Sequence, residues 1–176
     1  MKVYLIRHSE TDFSQVDSYH YVGYGRDLSR ITPKGIEIAK EAAKSPIFKE
    51  VQKILISPYT RTMETALEIV KQHPNISTQV ELLLHEWRPD KPGRKLENYD
   101  QLKQIYRDYR NNTHITDFDY ETGPEIIARV SSVLDKYKDD YDCIACVTHG
   151  QVIRWMTGMN LDVEIPYCGI YEMDYK

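Results

Sequence analysis

The chain has no long hydrophobic run. Its first apolar stretch, residues 3–6, is broken by Arg7, which fits neither a signal peptide nor a membrane-spanning helix. Cysteine is scarce: Cys143, Cys146 and Cys168 cannot all pair within one chain, and reduced thiols suit a cytoplasmic location, which is the expectation here. The eight glycines are scattered, so a glycine-rich nucleotide loop is excluded, and there is no internal repeat or low-complexity tract. No histidine stands at metal-ligand spacing from another histidine or cysteine, and His85-Glu86 lacks the second histidine of a zinc helix motif, so neither a metal nor another cofactor is expected. An excess of positive charge is missing too. With 23 Lys and Arg against 27 Asp and Glu the net charge is −4, which disfavours nucleic acid as a partner and requires any positive site to be local.

What is present is a 176-residue chain, 41% apolar and 28% charged, which suits one domain over residues 1–176 with a full hydrophobic core. Residues 3–6, 54–56 and 143–147 are short apolar runs rich in β-branched side chains, the pattern of parallel strands covered on both faces. Thr32-Pro33 reads as an N-cap and N1 proline for a helix to residue 44. Ser57-Pro58 reads as a second such device, before Met63, Ala66, Leu67 and Val70 on one helical face. Further helices are expected at 99–109, 125–138 and 150–157, a strand at 78–83 and an edge strand at 169–175. This alternation predicts an α/β fold, a three-layer αβα sandwich with a mostly parallel central sheet. Residues 85–123, with Pro89, Pro92 and Gly93 and one helix, read as an insertion over the sheet edge, covering the site.

Two apolar runs stop at a histidine: Leu5-Ile6-Arg7-His8-Ser9-Glu10-Thr11 and Val147-Thr148-His149-Gly150. Parallel sheets bind ligands at the carboxyl edge of their strands. Neighbours in an extended strand point to opposite faces, so Arg7 and His8 reach one ligand only if the chain bends at His8. Arg61 falls in the first turns of its helix, where a cation opposes the helix dipole unless an anion lies between. Gly150 and Gln151 follow His149 with backbone N–H groups at a helix start, a cradle for an anion. Together these features describe a pocket holding an anion between imidazoles. Cys143-Ile144-Ala145-Cys146 has redox CxxC spacing, but inside an apolar run it reads as buried core thiols.

Arg7-His8-Ser9-Glu10-Thr11, Thr32-Pro33-Lys34-Gly35, Ser57-Pro58-Tyr59-Thr60-Arg61-Thr62 and Thr148-His149-Gly150 fall in the order and approximate spacing of the histidine phosphatase superfamily, the phosphoglycerate-mutase-like proteins. The chain resembles that family over about residues 1–157. The resemblance implies that His8 is the nucleophile taking up a phosphoryl group and that Arg7, Arg61 and His149 bind the phosphate. It also implies a carboxylic acid after the third strand, which falls on Glu86, with Asp90 and Glu97 as lesser substitutes. The chemistry agrees. Two arginines and a protonated His149 would balance a phosphate dianion. A neutral His8, its other ring nitrogen donating to a backbone carbonyl, would be free to attack. Like-charge repulsion from the phosphate would keep Glu86 protonated.

Three departures from the family stand out. Ser9 replaces a glycine, Ser14 stands where many members carry a phosphate-binding asparagine, and residues 88–93 replace a glycine and tryptophan pattern. Gly150 and Ser14 are the expected further substrate contacts. Tyr19, Tyr21 and Tyr24 are candidates for the pocket mouth, and His20, His73, His85 and His114 for surface or supporting positions. The leading reading is a metal-independent phosphomonoester hydrolase acting on a phosphorylated small metabolite or phosphoprotein, with no nucleic-acid or membrane partner. A phosphoglycerate-type mutase, and a phosphate binder without catalysis, are the alternatives. Specificity is expected in residues 85–123 and 13–27, and the sequence leaves the substrate and the oligomeric state open.

Overall fold

A computed structural model describes residues 1–18, 24–94 and 96–176. In chain order the elements are β1 (Lys2–Arg7), β2 (Thr11–Asp12), α1 (Ser14–Ser18), β3 (Arg30–Ile31), α2 (Pro33–Ala42), β4 (Lys53–Ile56), α3 (Thr60–Gln72), β5 (Ser77–Val80), α4 (Tyr99–Asn111), α5 (Gly123–Leu134), β6 (Cys143–Thr148), α6 (Gly150–Thr157) and β7 (Ile170–Asp174). Five strands form one sheet in the order β5-β4-β6-β1-β7, parallel except for β7, which runs antiparallel to β1 at the edge. β2 and β3 pair separately. Among the described residues no helix is long and apolar enough to cross a membrane.

The central strands are buried on both faces because residues 3–6, 54–56 and 143–147 are apolar at every position. Val3, Leu5, Leu55, Ile144 and Cys146 point to one side, against Ile126 and Val130 of α5 and Val152 and Ile153 of α6. Tyr4, Ile6, Ile54, Ile56, Ala145 and Val147 point to the other, against Ala66 and Ile69 of α3. This is the α/β sandwich with a mostly parallel sheet that the alternation of elements predicts. Cys143 and Cys146, three apart on β6, belong to opposite faces. Their free, buried thiols therefore cannot bridge, which removes a CxxC redox role.

Register brings the site together. Val147 lies opposite both Ile6 and Ile56, so the residues just beyond, His8, Ser57 and His149, leave the sheet side by side. β5 ends level with β4, Val80 opposite Ile56, and its exit leads through a 3₁₀ turn at Leu82–Leu84 to Glu86. The strand expected at 78–83 is thus shorter, because residues 82–84 turn away from the sheet.

Two helices differ from expectation. α5 starts earlier than residue 125, because Thr122 and Glu125 form a capping box in which the Thr122 amide donates to Glu125 Oε2 at 2.7 Å. In α3 the expected apolar face is displaced. Met63 and Leu67 are 41% and 51% exposed, while Thr62, Thr65, Ala66 and Ile69 are buried. Nor does Ser57 cap α3: the helix begins at Thr60, with Tyr59 at the N-cap position and no side-chain cap.

Candidate active site

β1 ends at Arg7, and the chain bends immediately after it. The His8 amide donates to Thr148 O of β6 at 2.9 Å, and the Arg7 amide to Gly169 O at 3.0 Å. With the bend, both side chains reach Tyr167: the Arg7 guanidinium lies 4.6 Å from its ring centre and the His8 imidazole 6.3 Å. The Arg7 guanidinium also donates to Ile165 O.

His8 is buried, and its Nδ1 lies 2.8 Å from Ser9 O. A carbonyl only accepts, so Nδ1 carries the proton and Nε2 keeps its lone pair. Burial, then the positive charge of Arg61, with a smaller part from Arg7, pulls the His8 pKa down to about 3 against the opposing pull of the Ser9 carbonyl. The ring is neutral near pH 7, and its nitrogen assignment is the one expected of a nucleophile.

Ser9 is absorbed without strain. Its amide donates to Thr65 Oγ1 at 2.9 Å and its hydroxyl to Gly35 O at 2.6 Å. Gly35 itself allows no side chain, since a Cβ there would sit 2.4 Å from Glu10 O. The Thr32-Pro33-Lys34-Gly35 motif thus docks the start of α2 on the loop that follows His8.

His149 stands 5.3 Å from His8, ring centre to ring centre, edge to face. Its Nδ1 faces Arg61 Nη2 at 3.3 Å and its Nε2 faces Ser57 Oγ at 2.7 Å. A guanidinium only donates, so Nδ1 accepts and Nε2 donates to the serine. Burial, then Arg61 and His8, holds the His149 pKa well below its ordinary value. The ring is therefore neutral in this arrangement, and the protonation expected of His149 is tied to a bound phosphate dianion.

Arg61 is buried on α3 beneath the Tyr59 ring, 4.9 Å from its centre, and donates to Arg26 O at 3.1 Å. Its Nε, like that of Arg7, is buried without a hydrogen-bond partner in the protein. Two guanidinium donors left unpaired beside two neutral imidazoles are the signature of an anion site. Gly150 begins α6 at this point, and a Cβ there would come within 4.0 Å of Arg7 Nε.

Glu86 closes the far side. Its Oε1 accepts from the Trp87 amide at 2.9 Å. Burial raises its pKa, against the opposing pull of the Trp87 amide and of Arg61, Arg129 and Arg7. Desolvation by the protein is thus already a cause of protonation, alongside the expected repulsion by phosphate. The segment before it is pinned by Thr148 Oγ1, which donates to Leu84 O at 2.9 Å.

Ser14 is not brought into this group. It is exposed at the start of α1, with its amide donating to Asp12 Oδ1 at 2.8 Å. Asp90 is committed to Arg94, 2.7 Å from Nη2, and Glu97 Oε2 accepts from Gln101 Nε2. His85 is buried rather than at the surface, with Nδ1 donating to Glu86 O at 2.7 Å. His73 stacks on Phe48 and His114 on Tyr120. Tyr19, His20 and Tyr21 lie outside the described residues, as does the side chain of Tyr24. Among the described residues no group of three or more His, Cys, Asp or Glu is arranged to hold a metal ion.

Three participants escape a reading of the sequence. Ser57 holds His149, Tyr59 covers both Arg61 and His149, and Asp27 faces Tyr59, Arg61 and Glu86, with its pKa raised by burial to about 6. Ser57 and Tyr59 lie within a motif whose spacing is visible. Asp27 carries no such signal.

Residues 3–175 match the family model of the histidine phosphatase superfamily, branch 1. The chain belongs to this superfamily. An uncharacterized phosphoglycerate mutase family protein of Acanthamoeba polyphaga mimivirus is 31% identical over 163 residues, 88% of this chain and 76% of that protein. Among solved structures, a mycobacterial glucosyl-3-phosphoglycerate phosphatase in complex with VO3 superposes with a TM-score of 0.73 at 15% identity, covering 98% of this chain and 90% of its own. A phosphoserine phosphatase from Entamoeba histolytica, in complex with 3-phosphoglyceric acid, gives 0.70 at 22% identity, covering 97% and 89%. A Bacillus anthracis phosphoglycerate mutase gives 0.65 at 19% identity, covering 98% and 86%. At these identities the structures share the superfamily's fold, and they include both phosphatases and a mutase.

Proposed function

We propose that the chain is a phosphomonoester hydrolase working through a phosphohistidine at His8. One observation carries the reading: a neutral imidazole with Nδ1 committed to Ser9 O sits beside two arginines whose Nε atoms are buried and unpaired. Arg7, Arg61 and the Gly150 amide take the phosphate oxygens. A dianion there raises the pKa of His149, which then gains a proton and adds a third positive charge.

The His8 Nε2 lone pair attacks phosphorus as the P–O ester bond breaks, and the Glu86 proton passes to the leaving alkoxide. Water then attacks phosphorus while giving a proton to the Glu86 carboxylate. The P–N bond breaks, its electron pair returns to Nε2, and phosphate is released with Glu86 protonated again. Each protein group ends as it began, and one water is consumed per ester cleaved.

His8→Ala should cut turnover of simple phosphomonoesters at least about a thousandfold and abolish acid-labile phosphoryl labelling of the protein. Turnover unchanged in that variant would sink the proposal. Glu86→Gln should slow alkyl phosphates about a hundredfold or more and 4-nitrophenyl phosphate far less, because nitrophenolate leaves without a proton. Incubation with phosphoglycerates separates transfer from hydrolysis: isomerised acid without free phosphate would mean a mutase.

A further inference from the structure

Beside the phosphate pocket lies a cavity of about 760 Å³ that reaches from Arg61 and Glu86 to the face of α4. That capacity is in the range of sites that enclose drug-sized ligands, roughly 300–1,000 Å³. A three-carbon phosphoester would leave most of it to water, against walls that include Tyr59, Trp87, Leu96, Tyr99, Leu102 and Tyr106. Unfilled aromatic surface of this extent favours an apolar, flat occupant.

The charges on the walls narrow the choice. Arg26 is engaged with Asp17 at 2.5 Å and stacks on Phe13 and Tyr99. Arg94 is paired with Asp90, Lys91 with Asp119 and Glu125, and Lys103 with Asp100. Arg88 also lines the cavity and is exposed, yet it forms no ion pair with any described residue. Residues 19–23 and 95 contain no carboxylate that would serve. Its backbone is fixed, with the Arg88 carbonyl accepting from the Glu121 amide at 2.9 Å. Arg88 thus stands on a largely aromatic wall without an ion-pair contact, with the Asp27 carboxyl on the same wall near enough to feel its charge.

We infer that the substrate is a phosphomonoester of a bulky aryl or arylalkyl alcohol bearing a second negative charge, its ring in the cavity beside α4 and its charge at Arg88. This rests on the phosphohydrolase reading and names the substrate class of that same site.

The test uses ethyl phosphate, 2-phenylethyl phosphate, 2-(4-carboxyphenyl)ethyl phosphate and 3-phosphoglycerate. The first three share a primary alkyl leaving group, so their differences report binding rather than leaving ability. The phenyl ring should raise kcat/KM at least about tenfold over ethyl phosphate. The carboxylate should add about two- to fivefold, and Arg88→Gln should remove that second increment, read as the ratio of the two aryl esters within the variant. Equal kcat/KM for ethyl and phenylethyl phosphate, or a preference for 3-phosphoglycerate over both aryl esters, would overturn the inference. So would a carboxylate increment that survives Arg88→Gln.

Calorimetry with the matching phosphonates, which do not turn over, reads the cavity apart from the chemistry. The same order in Kd supports the substrate class even if no ester is hydrolysed, a result that would count against the hydrolase reading alone. Equal Kd values for the ethyl and phenylethyl phosphonates overturn the substrate class even if every ester is hydrolysed.

Discussion

At His149 the orientation of the ring is decided by a single hydroxyl. Arg61 takes Nδ1 as an acceptor, and Ser57 Oγ receives the proton on Nε2 at 2.7 Å. Removing that hydroxyl leaves a buried N–H without a partner, a loss of about 1–3 kcal/mol. Ser57→Ala should therefore lower kcat/KM for phosphomonoesters about tenfold and soften the preference for one imidazole tautomer. Steady-state kinetics and the nitrogen chemical shifts of His149 check this, and a variant with unchanged values on both would show that Ser57 does not orient the ring. The sequence points to His8 and its carbonyl partner because a strand end constrains nearest neighbours. It misassigns Ser57 because Ser-Pro before an apolar pattern satisfies the local rules for a helix start. Only the parallel register that sets Ile56 against Val147 brings the serine to a histidine 92 positions away.

Among the elements, α5 does more than cover the sheet. Arg129 donates to both carboxylate oxygens of Glu121, at 2.5 and 3.1 Å, and to Leu83 O. Glu121 in turn accepts from Trp87 Nε1 through its carbonyl at 2.8 Å and donates its amide to Arg88 O. This buried pair, 10% and 6% exposed, bolts the segment carrying Glu86 to α5. Breaking it leaves a buried charge, so Arg129→Leu should cost about 3–5 kcal/mol of stability by urea unfolding. Glu121→Gln combined with Arg129→Leu should recover part of that loss. In the folded fraction of the single variant, alkyl phosphates should suffer more than 4-nitrophenyl phosphate, since the displaced group is the acid; equal losses on both would argue against that placement. None of this clamp is visible in the sequence, where Glu121 and Arg129 look like solvated charges. The displaced face of α3 has a related cause. Thr62 and Thr65 are buried with their hydroxyls donating to Ser57 O and Arg61 O at 2.8 and 2.7 Å, so a hydrophobicity pattern passes over them. The three central strands are legible because burial on both faces requires a continuous apolar run, and that condition is local.

At the scale of the whole molecule, the buried His8, His85 and His149 give stability a defined response to acid. Burial and neighbouring arginines lower the pKa values of His8 to about 3, of His85 to about 4 and of His149 well below the ordinary value. As pH falls through about 6.5, where a histidine in the unfolded chain titrates, the unfolded state takes up protons that the folded state refuses, so stability falls with pH. Asp27, raised to about 6, and Glu86, also raised, act in the opposite sense. Folded, Asp27 holds part of a proton near pH 6 that the unfolded chain has released, Glu86 is shifted in the same direction, and the contribution of both falls as pH rises. The histidines outnumber them, leaving about one to two protons net near pH 6, a slope of about 1.4–2.7 kcal/mol per pH unit. Carboxylates with lowered pKa values, such as Glu125 at about 2, respond below pH 5 and leave this window alone. Urea unfolding between pH 5.5 and 7.5 should show stability rising with pH at that slope and flattening above about 7. Substituting His85 with asparagine should make the rise shallower by nearly one proton. A flat profile across the window would mean that these imidazoles protonate in the folded protein. His8 would then be largely cationic in weak acid, and hydrolysis should fail there in step with the fraction protonated.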